Sequence, residues 1–190
     1  MSTSKGRSKG RGKKPSTPPR HENIWAPWRM EYINGLADGD DGCFLCRCRD
    51  DRKNDAANLV LWRGRKNFIV LNRFPYTGGH SMVAPLEHLA DLTDLDDATM
   101  LEMLQMIRDL QRVLSQTVHA HGFNIGINLG RCAGAGLPDH LHVHVVPRWA
   151  GDTNFMPVLT GKTVIPVALE KLFAQLRQTA GQLRLPWQMT

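Results

Sequence analysis

No run among the 190 residues approaches the roughly 18–20 consecutive apolar side chains that a membrane-crossing helix needs. The N-terminus also lacks the apolar core of a secretory signal. Both absences lead us to expect a soluble, cytoplasmic protein with no membrane partner. Cysteine is sparse, at four residues, and in a reducing compartment a disulfide framework is not expected. Aromatic residues make up only 7%. The apolar share of 42% and charged share of 22% are near the globular average, which excludes wholesale disorder, collagen and coiled coil. The length suits one domain with appendages.

Acid is missing altogether from residues 1–20, which hold Lys5, Arg7, Lys9, Arg11, Lys13, Lys14 and Arg20. Removing these seven from the 24 basic residues leaves 17 against 18 acidic ones, so the net charge of +6 belongs to the tail. A Ser/Gly/Pro/Lys/Arg segment with no apolar residue after Met1 has nothing to bury that offsets the entropy of ordering it. Residues 1–21 are therefore expected to form a disordered basic tail and residues 22–190 the folded domain. A solubilising tail and an arm making weak contact with nucleic acid both fit, since short basic runs attract any polyanion.

The aromatics that are present cluster in HENIWAPWRMEYI, where Trp25 and Trp28 are anchors for packing on the domain or a partner. Residues 35–57, rich in Gly, Asp and Arg around CFLCRC, read as a loop held by something other than hydrophobic burial. The runs 59–62, 68–71 and 81–84, separated by turn residues, predict an antiparallel meander. Thr93 or Asp94 is placed to cap a helix whose apolar positions are Met100, Leu104, Ile107, Leu110 and Leu114, with Gly122 ending it. Extended chain resumes over 123–129, a Gly/Ala loop follows, and residues 140–146 predict a strand ended by Pro147. A C-terminal amphipathic helix is expected from about 165 to 176.

In a strand, His140, His142 and His144 share one face while Leu141, Val143 and Val145 share the other. Neutral imidazoles in such a row serve as metal ligands, nucleophiles or general bases. Either all three bind one metal, or they divide the work among a structural zinc site, attack on phosphorus and orientation of the phosphate. Cys43-x-x-Cys46 has zinc spacing, and His88 and His140 are the natural candidates to complete a Cys₂His₂ tetrahedron, with Cys48 and Cys132 as competitors. A reduced thiol pair or redox motif is the other reading. The glycines of NLGRCAGAGLPDH let backbone N–H groups approach an anion. Arg148 fits either a phosphate contact or a surface salt bridge, and Trp149 either base stacking or the core.

Beyond these readings, HLHVHVV resembles the signature of the histidine triad (HIT) family. WAPWRMEYI, CFLC, NRFPYTGGHSMVAP, FNIGINLG and DHLHVHVVPRWAGDTNFMPV are similar to successive landmarks of its bacterial branch, which includes diadenosine tetraphosphate phosphorylases. The resemblance covers about residues 24–160. It implies an α+β, HIT-like fold with a five-stranded antiparallel sheet, a long helix and a C-terminal helix, usually as a homodimer. It implies an enzyme that cleaves a dinucleoside polyphosphate at the α-phosphate through a nucleotidyl-histidine intermediate. His142 would be the nucleophile, with His144 and His80 beside the same phosphate. Asn72, Asn128, His144 and the loop residues Gly134, Ala135 and Gly136 would contact the nucleotide, and Cys43, Cys46, His88 and His140 would hold a structural zinc. HIT hydrolases often carry Gln where this chain has Ala135, and phosphorylase relatives carry a small residue, so the expectation leans to phosphorolysis. Hydrolysis of dinucleoside polyphosphates or nucleoside phosphoramidates, and a nucleotide-binding module with little turnover, are the alternatives. Sugar-1-phosphate transfer ranks lower, because those relatives end the triad in Gln.

Overall fold

The structure is a computed structural model in which residues 42–152 and 167–187 are described. The tail, the HENIWAPWRMEYI segment and the start of the Gly/Asp-rich stretch lie outside these residues. Five strands form one antiparallel sheet in the order β1-β2-β3-β5-β4: β1 Val60–Arg63, β2 Asn67–Leu71, β3 Ser81–Pro85, β4 Gly122–Ile127 and β5 Val143–Arg148. Among the described residues three α-helices accompany it: α1 Phe44–Asp50, α2 Asp97–Val118 and α3 Leu169–Gln182. This is the expected α+β architecture. Among the described residues no helix is long and apolar enough to cross a membrane.

β1, β2 and β3 are buried at every residue, as strands covered on both faces are. α2 packs across β2 and β3, and α3 packs on α2 and β1. The α2 cap is Asp96 rather than Thr93 or Asp94. Its side chain accepts the Thr99 N–H at 2.6 Å, while Leu92–Asp94 forms a separate 3-10 turn led by Asp91. Buried Leu95 lies extended between the two turns and fixes where the helix begins. The buried face comprises Met103, Met106, Ile107, Leu110, Val113 and Leu114, and Leu104 is 65% exposed. The apolar stripe read from the sequence thus ran along one edge of a wider face that the methionines complete. His119 ends α2 in the left-handed region, φ 52°, and Gly122 opens β4 instead. α3 starts at Leu169 and runs past Leu176 to Gln182, burying Leu172, Phe173, Leu176, Thr179 and Ala180.

Pro147 lies inside β5, paired with Phe123, and does not end the strand. β5 continues past the last β3 pair, Ser81 with Val145, and the Pro147 carbonyl accepts the Thr77 hydroxyl at 3.0 Å. The nitrogen of a strand residue faces the same side as its carbonyl, so the missing N–H falls beyond the end of β3 and costs no ladder bond.

The CFLCRC segment is a helix and not a loop. Leu45 and Cys48 of α1 are buried, and the Cys43 sulfur at the N-cap accepts the Cys46 N–H at 3.4 Å. Its other end is held from β1. Arg63, 1% exposed, pairs with buried Asp55 and donates to the carbonyls of Cys48 and, at 3.3 Å, Arg49, two groups that a helix terminus leaves without internal partners.

Candidate active site

Only one member of the histidine triplet belongs to the sheet. His144 lies in β5 opposite Met82 and Gly126, whereas His140 and His142 precede the strand, whose pairing on both sides begins at Val143. The expected strand over 140–146 is therefore shifted toward the C-terminus. The segment before it is held by three other bonds. The His140 ring meets the Pro85 carbonyl at 3.0 Å, the Leu141 N–H donates to the Leu89 carbonyl at 2.6 Å, and the His142 ring meets the His140 carbonyl at 2.8 Å.

These contacts fix which nitrogen of each ring carries the proton. A carbonyl only accepts, so His142 is protonated on Nδ1 and keeps its lone pair on Nε2. By the same argument His140 is protonated on Nε2 and its Nδ1 lone pair faces the thiols of Cys43 and Cys46, at 3.2 and 3.6 Å. A backbone N–H only donates, and that of Tyr76 reaches His80 Nδ1 at 3.1 Å. His80 is therefore protonated on Nε2, which donates to His144 Nδ1 at 3.0 Å. Neutral His144 then carries its proton on Nε2, as a donor.

The rings of His142, His144 and His80 form one row, with centroids 4.9 Å apart for the first pair and 5.1 Å for the second, and Tyr76 stacks on His80 at 4.6 Å. Burial, reinforced by His144 and His142, pushes His80 down to about 3. Burial also lowers His142, opposed by its bond to the His140 carbonyl. Both are neutral at physiological pH, so each ring has one nitrogen that donates and one that accepts. Gly79, at φ +90°, brings the chain under α2 just before His80. A Cβ there would lie 2.9 Å from Leu114 Cδ2.

The expected nucleotide contacts divide. Asn72 lies beside the row, its Oδ1 accepting the Phe74 N–H at 2.9 Å, which turns Nδ2 toward His80 Nδ1 at 3.3 Å. Asn128 Nδ2 donates to the Gly134 carbonyl at 3.4 Å and so closes the Gly/Ala loop. In that loop the N–H groups of Ala133, Gly134 and Ala135 bond back to Gly130 and Arg131, Ala135 is buried, and Gly136 is exposed. Arg148 makes the surface salt bridge, to Asp152, and also donates to Asn124 Oδ1, and Trp149 Nε1 donates to the Val118 carbonyl at the end of α2. The roles of Tyr76, Pro85 and Leu89 were not read from the sequence, because each acts through its backbone; for Tyr76 the stacking on His80 adds to this.

A second constellation adjoins the first. The donor atoms of Cys43, Cys46, His88 and His140 all lie within 4.8 Å of one another. Cys46 Sγ is 3.2 Å from His88 Nδ1. A tetrahedral Zn²⁺ with ordinary Zn–S and Zn–N bonds spaces its ligands roughly 3.3–3.8 Å apart, so this set fits the ion with small adjustments. The Pro85 carbonyl supplies the outer bond that aims the His140 lone pair, as expected at zinc histidines. Neither competing thiol takes part: Cys48 is buried in the core and Cys132 is exposed on the Gly/Ala loop. Burial and the neighbouring Cys43 raise the Cys46 thiol, and a bound cation would reverse that by favouring thiolate.

A family profile described as HIT domain matches residues 53–151. The chain belongs to the HIT family. Over 153 residues, 78% of each chain, this HIT protein is 38% identical to a Mycobacterium tuberculosis protein named AP-4-A phosphorylase. Over 100 residues, 53% of this chain and 54% of the relative, it is 32% identical to a Schizosaccharomyces pombe protein named bis(5'-nucleosyl)-tetraphosphatase [asymmetrical]. Among solved structures, a Zn-bound histidine triad family protein from Mycobacterium smegmatis superposes with a TM-score of 0.61 at 29% identity, covering 77% of this HIT chain and 98% of the other.

Proposed function

We propose that this protein is a nucleotidyl transferase acting on dinucleoside polyphosphates of the diadenosine tetraphosphate type. The observation that carries the reading is the His142–His140 bond, which leaves the Nε2 lone pair of a buried, neutral imidazole beside a His144 ring whose own Nε2 is a donor. His142 Nε2 forms a P–N bond to the α-phosphorus as the P–O bond to the β-phosphate breaks, and ATP leaves from the tetraphosphate. An acceptor then takes the AMP unit and frees the imidazole, so two moderate displacements replace one difficult one. The Nε2–H of His144 neutralises charge on the phosphate oxygens, and His80 holds it in that tautomer. Asn72 and the loop bearing Asn128, Gly134, Ala135 and Gly136 border the nucleotide. Because the loop's own bonds occupy three N–H groups, the imidazoles carry most of the phosphate recognition.

Inorganic phosphate is the preferred acceptor, giving ADP. Ala135 and the relative named AP-4-A phosphorylase support this choice. Water as acceptor, giving AMP, is the second reading, favoured by the relative named a tetraphosphatase. Cys43, Cys46, His88 and His140 hold one structural zinc. With four protein ligands it keeps no open position for substrate. The chain works as a homodimer, for which half-exposed β4 offers a sheet edge with no further strand beside it among the described residues.

The deciding experiment incubates the purified protein with diadenosine tetraphosphate, with and without phosphate, and resolves the nucleotides. ADP plus ATP formed only with phosphate supports the phosphorylase, and AMP plus ATP without it supports the hydrolase. No cleavage refutes both and leaves a binding module. His142→Ala is expected to abolish turnover in a folded protein, and full activity in that variant would sink the mechanism.

A further inference from the structure

A row of neutral imidazoles answers only part of the charge on the proposed substrate. A dinucleoside polyphosphate carries a negative charge on every phosphate, whereas burial holds His80 and His142 neutral. Binding the phosphates beyond the α-position calls for a cation. Arg148 of β5 is held by Asp152 and Asn124, and Arg73, next to Asn72, donates to the Ala57 carbonyl at 3.1 Å. Arg131 differs from both. It is exposed on the Gly/Ala loop, and its side chain makes no hydrogen bond or ion pair with a described residue. Its backbone is fixed all the same: Gly130 turns the chain with a positive φ of 74°, the Gly130 carbonyl accepts the Ala133 and Ala135 N–H groups, and the Arg131 carbonyl accepts that of Gly134 at 3.0 Å.

The loop joins the histidines at both ends. β4 sets Gly126 opposite His144, and by strand alternation Asn128, two residues further, lies on the same side of the sheet. A Cβ on Gly126 would meet nothing within 4 Å, so the sheet face beside His144 is open there. At its other end the loop runs through Pro138 and Asp139 into His140. Displacement at phosphorus is in line, with the attacking and leaving atoms on opposite sides. His142 Nε2 enters opposite the β-phosphate and, in the second step, leaves opposite the acceptor. The acceptor therefore occupies the place that the β-phosphate has vacated. One fixed cation bordering that place serves both steps and discriminates between acceptors, because phosphate is an anion and water is not.

We propose that Arg131 recognises the anion in that place, binding first the outgoing phosphates of ATP and then inorganic phosphate, and so selects phosphate over water as acceptor. In the second step an oxygen of hydrogen phosphate forms a P–O bond to the α-phosphorus as the P–N bond breaks. The electron pair returns to Nε2, the proton stays on the terminal phosphate of the ADP, and His142 is again neutral with its proton on Nδ1. The inference rests on the function proposed above and names the residue that decides its acceptor.

The test compares the full-length wild type with Arg131→Gln and Arg131→Lys on diadenosine tetraphosphate and on adenosine phosphoramidate, whose leaving ammonia carries no phosphate. Arg131 is exposed, so both variants should keep the fold, which circular dichroism checks. Loss of a charge-assisted bond in Arg131→Gln should lower kcat/KM for the tetraphosphate and raise KM for inorganic phosphate, each at least about tenfold. At fixed phosphate the product should shift from ADP toward AMP, and kcat/KM for the phosphoramidate should fall far less. Arg131→Lys keeps the charge and should recover part of both losses. An unchanged KM for phosphate with an unchanged ADP-to-AMP ratio overturns the proposal. An equal fall on both substrates overturns it too, because it places the effect on the adenylyl half they share, as does a wild type that forms AMP whether or not phosphate is present. If the wild type cleaves neither substrate, the proposed function fails by itself, and calorimetry with ATP and with AMP decides for Arg131. ATP affinity at least about tenfold weaker in Arg131→Gln, with AMP affinity unchanged, supports the anion site, and equal ATP affinities overturn it.

Discussion

Acid should weaken this fold through His80 by an amount that its surroundings set. The ring is fully buried and pushed from 6.5 to about 3, whereas in the unfolded chain it returns to 6.5. Between these values the unfolded state holds about one more proton than the native state. Stability from this site is therefore complete above about pH 6.5 and is lost as pH falls toward 3, at about 1.4 kcal/mol per pH unit. Integrated from pH 7 to pH 5, the loss is about 2 kcal/mol, a large part of a typical domain's 5–15 kcal/mol. The assay is urea unfolding at pH 7, 6 and 5 on the wild type and on His80→Gln. The variant pays a fixed cost for lost packing, but that cost does not vary with pH. His80 is not part of the cluster, so acid release of metal cancels in the comparison. The stability gap between the two proteins should narrow by about 2 kcal/mol from pH 7 to pH 5. A gap that stays constant would mean that His80 titrates normally, and the tautomer chain through His144 would lose its first link.

Arg63→Met should destabilise the protein by about 3–5 kcal/mol, because it breaks the buried ion pair with Asp55 and removes the donor to two α1 carbonyls; denaturant unfolding measures it, and a loss below 1 kcal/mol would contradict the clamp. Asp96→Ala removes the α2 cap and should cost about 1 kcal/mol, whereas Thr93→Ala, in the separate turn, should cost distinctly less. Metal analysis should find about one zinc per chain, lost on Cys43→Ser, and a stable protein with no zinc would refute the site.

The strands and the long helix were legible because short β-branched runs between turns and a helical apolar period leave few alternatives. Where the reading slipped, the deciding contact lay far along the chain. The period-two histidines announced a strand, but pairing starts only at Val143, because the segment before it bonds elsewhere, the His140 ring to the Pro85 carbonyl and the Leu141 N–H to the Leu89 carbonyl. Asp91 and Asp96 both open helical turns, and only the burial of Leu95 chooses the second for α2. The Cys43, Cys46, His88, His140 grouping was visible from residue type, and the fold brings those side chains together. The tautomers were not, since they depend on the Pro85 and His140 carbonyls and on the Tyr76 N–H.

The shortness of α1 bears on the order in which the chain assembles. Seven residues are too few to hold a helix in water, and its terminal carbonyls are met by a guanidinium that belongs to β1. The helix thus forms only once β1 has docked, and its cysteines can meet His140, 97 residues from Cys43, only after β5 has joined the sheet. Any zinc these four side chains take would then be captured after the sheet has formed, and zinc uptake followed by a chromogenic chelator is expected to lag behind the appearance of sheet.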